Sequence, residues 1–207
     1  SPGVSYEDAA FLEPLGVAIH GVLSGEIGNQ TVAIFGCGPI GLMGINVAAA
    51  SGANKIFAIE PIEEKVKLAS KMGATTLLRP GKDDVLQKVM DATDGIGVDV
   101  VIDFSGSAKA IQSGLQILRK GGRMTLTGLP NLPVELDLVD GVIYKEARIN
   151  GTTGRRMYET WWQANKLFEA GKLDLEPAKG GTFALKDFEQ AFAAIKAGKP
   201  GKMVLIP

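Results

Sequence analysis

The chain has 207 residues, of which 45% are hydrophobic, and its formal net charge is −1. A chain of this length can bury a full core and can hold one domain plus part of a second. Acidic and basic residues are interspersed, so the charge gives no reason to expect nucleic acid or an anionic membrane as a partner. We find no apolar run long enough to span a bilayer. The single cysteine excludes an internal disulfide and favours a cytoplasmic location.

The first residues do not look like the beginning of a protein. The chain opens at Ser1 without a methionine, and its first ten residues read like the interior of a longer protein. We therefore expect a fragment. Apolar spacing then predicts a helix over residues 6–24, broken near Pro14.

The next element carries the most information. Thr31–Phe35 is short, apolar and β-branched, which is typical of a parallel strand buried on both faces. Gly36, Gly38 and Gly41 follow with the G-x-G-x-x-G spacing of a dinucleotide-binding turn. In such a turn the first glycine allows the bend, the second admits the pyrophosphate and the third lets the helix pack closely. Because the helix over 40–50 begins there, its unpaired N–H groups face the phosphates.

An acidic residue completes this pattern. Glu60 ends the next predicted strand, 55–60, where a carboxylate would accept hydrogen bonds from both hydroxyls of the adenosine ribose. Its charge would repel a 2′-phosphate, so we expect NAD rather than NADP. The alternative is a glycine turn that binds no ligand.

The rest of the chain continues the alternation of strands and helices. Further strands are predicted over 75–78, 98–104, 123–128, 147–151 and 202–206, and further helices over 63–72, 83–91, 107–118, 157–170 and 188–197, with loops at 129–133 and 172–182. Such alternation predicts an α/β fold, a doubly wound parallel sheet of the Rossmann type. Because the last strand has no obvious partner in that sheet, we assign it to a neighbouring domain.

Several segments together resemble a known family. Residues 13–20 (EPLGVAIH), the Gly36–Gly41 turn, residues 101–106 (VIDFSG) and 121–123 (GGR) resemble the zinc-containing medium-chain alcohol and polyol dehydrogenases. Residues 151–162 (GTTGRRMYETWW) resemble a stretch of the L-threonine 3-dehydrogenases within that family. The resemblance extends over essentially the whole chain.

The resemblance implies that a domain is missing. Family members carry an N-terminal catalytic domain that supplies most zinc ligands. Residues 1–24 would then be a linker helix from it, 25–154 the dinucleotide-binding domain, and 155–207 helices and a strand returning to it. Glu13 matches a family carboxylate at the catalytic zinc, although from sequence alone it is equally a surface acid. With one cysteine and one histidine, this chain cannot build the zinc site alone.

Further cofactor contacts follow from position and from the resemblance. Ser105 and Gly106 end the fourth strand, at the edge where ligands bind in open α/β sheets. By resemblance, Lys65 faces the adenine or ribose, although a solvated helix lysine is as good an interpretation. The remaining candidates lie in the turn or match positions lining the nicotinamide: Pro39, Ile40, Thr127, Leu129, Thr152 and Thr153. Cys37 and His20 are expected to be structural, and one of Trp161 and Trp162 to lie in the core.

The function implied is that of the cofactor half of an NAD- and zinc-dependent dehydrogenase for a small secondary alcohol, namely L-threonine, oxidised to 2-amino-3-ketobutyrate. A polyol dehydrogenase, a stand-alone NAD-binding module and a zinc-free reductase remain alternatives. Family members assemble as homodimers or homotetramers by joining sheet edges, and we expect residues 125–138 to supply the edge strand.

Overall fold

The computed structural model describes residues 5–207, so the first four residues of the predicted linker lie outside the described part. The helices are α1 (Tyr6–Val22), α2 (Pro39–Ala50), α3 (Glu63–Lys71), α4 (Val85–Asp91), α5 (Ala108–Ile117), α6 (Glu159–Glu169) and α7 (Phe188–Lys196). The strands are β1 (Thr31–Phe35), β2 (Lys55–Ile59), β3 (Thr76–Leu78), β4 (Val98–Asp103), β5 (Leu118–Leu126), β6 (Arg148–Gly151), β7 (Lys179–Ala184) and β8 (Lys202–Ile206).

Six strands form one parallel sheet in the order β3-β2-β1-β4-β5-β6. The chain runs outward from β1 to β3 and then returns to the other side of β1 with β4. The predicted doubly wound fold is confirmed. The reversal between β1 and β4 leaves a crevice at the carboxyl ends of these strands, where such folds bind ligands.

Apolar side chains of the sheet alternate between two cores. Val32 and Ile34 of β1 pack with α1, α2 and α3, whereas Ala33 and Phe35 pack with α4 and α5. Because successive side chains of a strand point to opposite faces, a continuous apolar run serves both cores at once. The carboxyl ends of the central strands are thereby held by strands whose side chains are buried on both faces.

The predicted break in the first helix is wrong. α1 continues through Pro14, which lies inside it. Proline removes one hydrogen bond, the one to the carbonyl of Ala10, and Ala10 is exposed, so water can replace it. Phe11, Leu15 and Ile19 are fully buried on either side of the proline and hold the helix in place.

The fifth strand begins earlier than predicted. α5 ends at Ile117 and β5 starts at Leu118, so the pair Gly121-Gly122 lies inside the strand. The register jumps from Leu118 opposite Val98 to Arg123 opposite Val100, which is a bulge. Gly121 has φ +70°, a conformation that glycine adopts without strain.

The predicted edge strand over 125–138 is also wrong. β5 pairs with β4 on one side and with β6 on the other, so the edge strands of this sheet are β3 and β6. The chain leaves the sheet after Leu126, and Val139–Ile143 form a short π-helical turn. Pro130 and Pro133 lack the N–H group that a strand ladder requires.

The last strand has a partner within the described residues. β8 pairs in parallel with β7, which occupies part of the segment expected to be a loop. A Cβ at Gly180 would lie 2.7 Å from the carbonyl oxygen of Pro200, so glycine is needed for the two strands to meet. β7 and β8 form their own small sheet, and the assignment of 155–207 to a neighbouring domain stays a prediction.

None of the helices within residues 5–207 is long and apolar enough to cross a membrane.

Candidate functional site

Five loops that carry predicted cofactor contacts start at the carboxyl ends of strands of the large sheet. They follow β1, β2, β4, β5 and β6 and contain Gly36–Gly41, Glu60, Ser105-Gly106, Thr127–Leu129 and Thr152-Thr153, respectively. Because the strands are parallel, all five loops lie along one edge. The structure therefore brings together residues that are up to 117 positions apart (Gly36 to Thr153).

The three glycines of the turn meet different surroundings. Gly36 has φ +91°, in the left-handed region that favours glycine. A Cβ at Gly41 would lie 1.9 Å from the carbonyl oxygen of Gly36, so no side chain fits there. A Cβ at Gly38 would meet nothing within 4 Å, which means that the turn is open to solvent at its second glycine. This is the arrangement a backbone needs to approach a ligand closely.

The start of α2 is suited to an anion. Gly38 is the N-cap residue and provides no side chain, and Pro39 is the first residue of the helix. No acidic residue occupies the first turn, which also contains Ile40 and Gly41. The N–H groups of Ile40 and Gly41 belong to the helix start, where intrahelical acceptors are absent and the dipole is positive. A phosphate fits these properties.

Glu60 lies beside this turn, one residue beyond β2, and is only 7% exposed. Its Oε2 accepts a hydrogen bond from the backbone N–H of Cys37 at 2.9 Å, and its Oε1 accepts one from Ile62 at 3.1 Å. Glu60 also lines a cavity of about 530 Å³ with the apolar side chains of Phe35, Ile59 and Val85. Ser105 lines the same cavity.

Cys37 is a structural residue of the turn, as expected. Its side chain is fully buried. Burial, reinforced by the negative charge of Glu60, raises the pKa of the thiol to about 12, while Lys65 opposes the rise. A thiol with this pKa is protonated at neutral pH and does not act as a nucleophile. Lys65 is partly buried on α3, and its contact with adenine or ribose stays a prediction.

Asp103 organises two of the five loops, and the sequence analysis did not select it as a site residue. Its buried carboxylate accepts hydrogen bonds from the N–H and Oγ of Ser105, at 3.0 and 2.6 Å, and from the N–H of Gly106 at 3.0 Å. Its carbonyl oxygen accepts from the N–H groups of Thr127 and Gly128, both at 2.9 Å. Burial raises the pKa of Asp103, and the hydrogen bonds to Ser105 and Gly106 oppose the rise.

The loops after β5 and β6 are joined through two threonines. The hydroxyl oxygens of Thr127 and Thr152 lie 2.8 Å apart, and the N–H of Thr152 donates to the carbonyl of Leu126. Leu129 and Thr153, by contrast, are exposed at the surface, Leu129 to 84%. The structure thus joins one pair of predicted nicotinamide contacts and leaves the other two on the outside.

Arg155 is a second residue that sequence reasoning missed. It follows β6 by four positions, and its guanidinium carbon lies 3.7 Å from the ring centroid of Trp161. Within the described residues its buried Nε and Nη2 atoms have no hydrogen-bond partner. Trp161 is partly buried beneath this group and Trp162 is exposed, so the expectation of one core tryptophan is wrong. The signal was the Gly-Arg-Arg sequence after the sixth strand.

The candidate metal ligand stands alone. Glu13 is an exposed residue of α1. Within residues 5–207 no three side chains of His, Cys, Asp or Glu are grouped so that they could hold a metal ion. His20 Nδ1 lies 3.1 Å from the carbonyl oxygen of Gly154, which can only accept, so the ring donates there in a structural contact.

The chain is similar to known proteins in sequence and in fold. The family described as "Zinc-binding dehydrogenase" matches residues 39–170, more than half of the chain. An L-threonine 3-dehydrogenase of Caldanaerobacter subterraneus is 42% identical over 99% of this chain and 59% of its own length. One of Thermococcus kodakarensis is 44% identical over 97% of this chain and 58% of its own length.

Among solved structures, 2R,3R-butanediol dehydrogenase from Bacillus subtilis superposes with a TM-score of 0.91 at 29% identity. The match covers 100% of this chain and 59% of that one. The chain thus spans less than two thirds of the length of the relatives it matches.

Proposed function

The chain belongs to the zinc-binding dehydrogenase family, and we propose that it binds NAD as part of an enzyme that oxidises a secondary alcohol. The observation that carries this proposal is the open glycine turn beside the buried carboxylate of Glu60, at the switch point of the sheet. A dinucleotide needs a phosphate site and a ribose acceptor close together, and the turn and Glu60 supply both.

Each part of the site has a distinct task in this proposal. The N–H groups at the start of α2 bind the pyrophosphate, and Glu60 accepts from the ribose hydroxyls. The cavity between Phe35, Ile59 and Val85 takes the adenine. Thr127 and Thr152 flank the nicotinamide.

The chemistry of bound NAD is to accept a hydride from the carbon that carries the hydroxyl group. This chain contributes by orienting the cofactor and by holding fixed dipoles around it. Glu13 would be one zinc ligand at most, and the others would have to come from residues outside those described.

We propose L-threonine as the substrate of the whole enzyme. Support comes from two L-threonine 3-dehydrogenases at 42% and 44% identity and from residues 151–162, which carry the Glu-Thr-Trp segment. A diol or polyol is the second candidate, favoured by the TM-score of 0.91 with a butanediol dehydrogenase. Comparing kcat/KM of the full-length protein for L-threonine and 2,3-butanediol decides between them.

We also infer a cytoplasmic enzyme that forms homodimers or homotetramers.

Cofactor binding is tested by calorimetric titration of this chain with NAD and NADP. We expect tighter binding of NAD, because the carboxylate of Glu60 repels a 2′-phosphate. Glu60→Ala should erode the preference. Glu64→Ala, which removes an exposed acid of α3, is the matched control and should leave it intact. Equal affinity for the two cofactors in the unaltered chain would contradict the proposal.

A further inference from the structure

Few hydrogen bonds join the phosphate turn to its surroundings. The N–H of Gly36 donates to the carbonyl of Ile59 at 2.9 Å, and the N–H of Leu42 donates to the carbonyl of Gly38 at 2.9 Å. Between these backbone bonds lies Cys37, whose N–H donates to Glu60 Oε2 at 2.9 Å. Among the hydrogen bonds of the described residues, Glu60 provides the one side chain that bonds to the backbone of residues 36–41.

We infer that Glu60 is a positioning residue for the phosphate turn, in addition to its role at the ribose. This inference rests on the proposed binding of NAD. The carboxylate has two oxygens, and each already accepts one backbone N–H, from Cys37 and from Ile62. Each carboxylate oxygen can accept a second hydrogen bond, so the ribose hydroxyls can be bound without releasing the turn.

The burial of Glu60 strengthens this role. Hydrogen bonds to an ionised acceptor in a buried place contribute more than neutral ones, because the charge is poorly solvated without them. Glu60 is 7% exposed and forms no ion pair within 4.0 Å among the described residues. The two N–H groups therefore offset the cost of burying the carboxylate charge, and the turn and the carboxylate stabilise each other.

The consequence concerns how cofactor preference can be altered. If Glu60 acted on the ribose alone, its removal would weaken binding only of ligands that carry the adenosine ribose hydroxyls. If it also fixes Cys37, its removal loosens the turn and weakens the hold on any pyrophosphate ligand, with or without ribose hydroxyls.

The test compares the affinities of three proteins for two ligands. Unaltered chain, Glu60→Ala and Glu60→Gln are titrated with NAD and, by competition, with an NAD analogue whose adenosine ribose lacks both hydroxyls. We expect Glu60→Ala to lose about tenfold in affinity even for the analogue, the size of one hydrogen bond to a charged group. Glu60→Gln keeps one acceptor oxygen and should recover part of that loss. Undiminished affinity of Glu60→Ala for the analogue would overturn the inference.

A second readout is independent of the cofactor. Hydrogen exchange at the Cys37 amide, followed by NMR without ligand, should be about tenfold faster in Glu60→Ala than in the unaltered chain or in Glu64→Ala. If the unaltered chain binds no NAD, the proposed function fails, and this exchange rate alone decides whether Glu60 holds the turn. An unchanged rate would then refute the inference.

Discussion

The six-stranded sheet and the C-terminal segment of β7, α7 and β8 bury their apolar side chains to very different extents. Phe57 in β2 is fully buried between helices, whereas Phe192 and Ile195 of α7 are 55% and 52% exposed. Both regions carry apolar residues at regular spacing, yet only the sheet finds covering surfaces on both faces within the described residues. The difference shows that amphipathic patterning predicts an element without guaranteeing what covers it.

The largest expected effect separates the two regions directly. Phe57→Ala should lower the free energy of unfolding by about 3–5 kcal/mol, because it leaves a cavity in a closed core. Phe192→Ala should lower it by less than about 1 kcal/mol, because more than half of the side chain is already in water. Denaturant unfolding of both variants measures the contrast. A large loss for Phe192→Ala that depends on protein concentration would instead reveal a second copy covering α7.

A second pair of variants sharpens the comparison within the sheet. Gly41→Ala places a Cβ 1.9 Å from the carbonyl oxygen of Gly36 and should cost about 3 kcal/mol of stability through overpacking. Gly38→Ala meets no neighbour and has an ordinary extended backbone, with φ −69° and ψ 179°. The smaller entropy of the unfolded chain favours alanine, whereas the N-cap position favours glycine, so stability should change by less than about 1 kcal/mol.

Measurements of NAD binding give a different kind of information about Gly38→Ala. Gly38→Ala fills the open side of the turn, so NAD affinity should fall although the protein stays folded. Thermal unfolding and calorimetry on the same samples distinguish these outcomes. Full NAD affinity in Gly38→Ala would contradict the assignment of this face to the pyrophosphate.

The smallest effect concerns the surface of α3. Hydrogen bonds from Lys67 and then Arg79 lower the pKa of Glu63 to about 2 from its ordinary value of 4.5. A carboxyl whose folded pKa is depressed adds stability above its unfolded pKa and loses it as pH falls toward the folded value. The melting temperature should thus fall slightly less between pH 5 and pH 2 in Glu63→Gln than in the unaltered chain. Because Glu63 and Lys67 lie at the surface, added salt should reduce the effect. Glu64→Gln is the control.

Most of the sheet could be predicted from the sequence because its signals are local. The apolar run Thr31–Phe35, the glycine spacing and the acid at Glu60 each lie within a few residues of one another. Parallel strands joined by helices then leave little choice of topology. The same local rules explain why the helix ends at Gly73 and Gly198, which both have positive φ, were predicted closely.

The errors arose where tertiary contacts decide the local structure. β7 was missed because Gly180-Gly181 is typical of a loop, and only the close approach of Pro200 and Gly201 explains Gly180. Asp103 lies at the end of the β4 segment, and no pattern in the sequence distinguishes it from other residues at strand ends. Its role depends on the neighbouring position of β5, which no local pattern contains.

Loop exchange between relatives is constrained by the contacts of Asp103. A Cβ at Gly128 would lie 2.1 Å from the amide nitrogen of Gly106, and one at Gly106 would lie 2.5 Å from the carbonyl oxygen of Leu129. With the Asp103 side chain binding one loop and its carbonyl binding the other, the two loops fit as a matched pair. An engineer who grafts a new loop after β4 must graft the corresponding loop after β5 from the same donor.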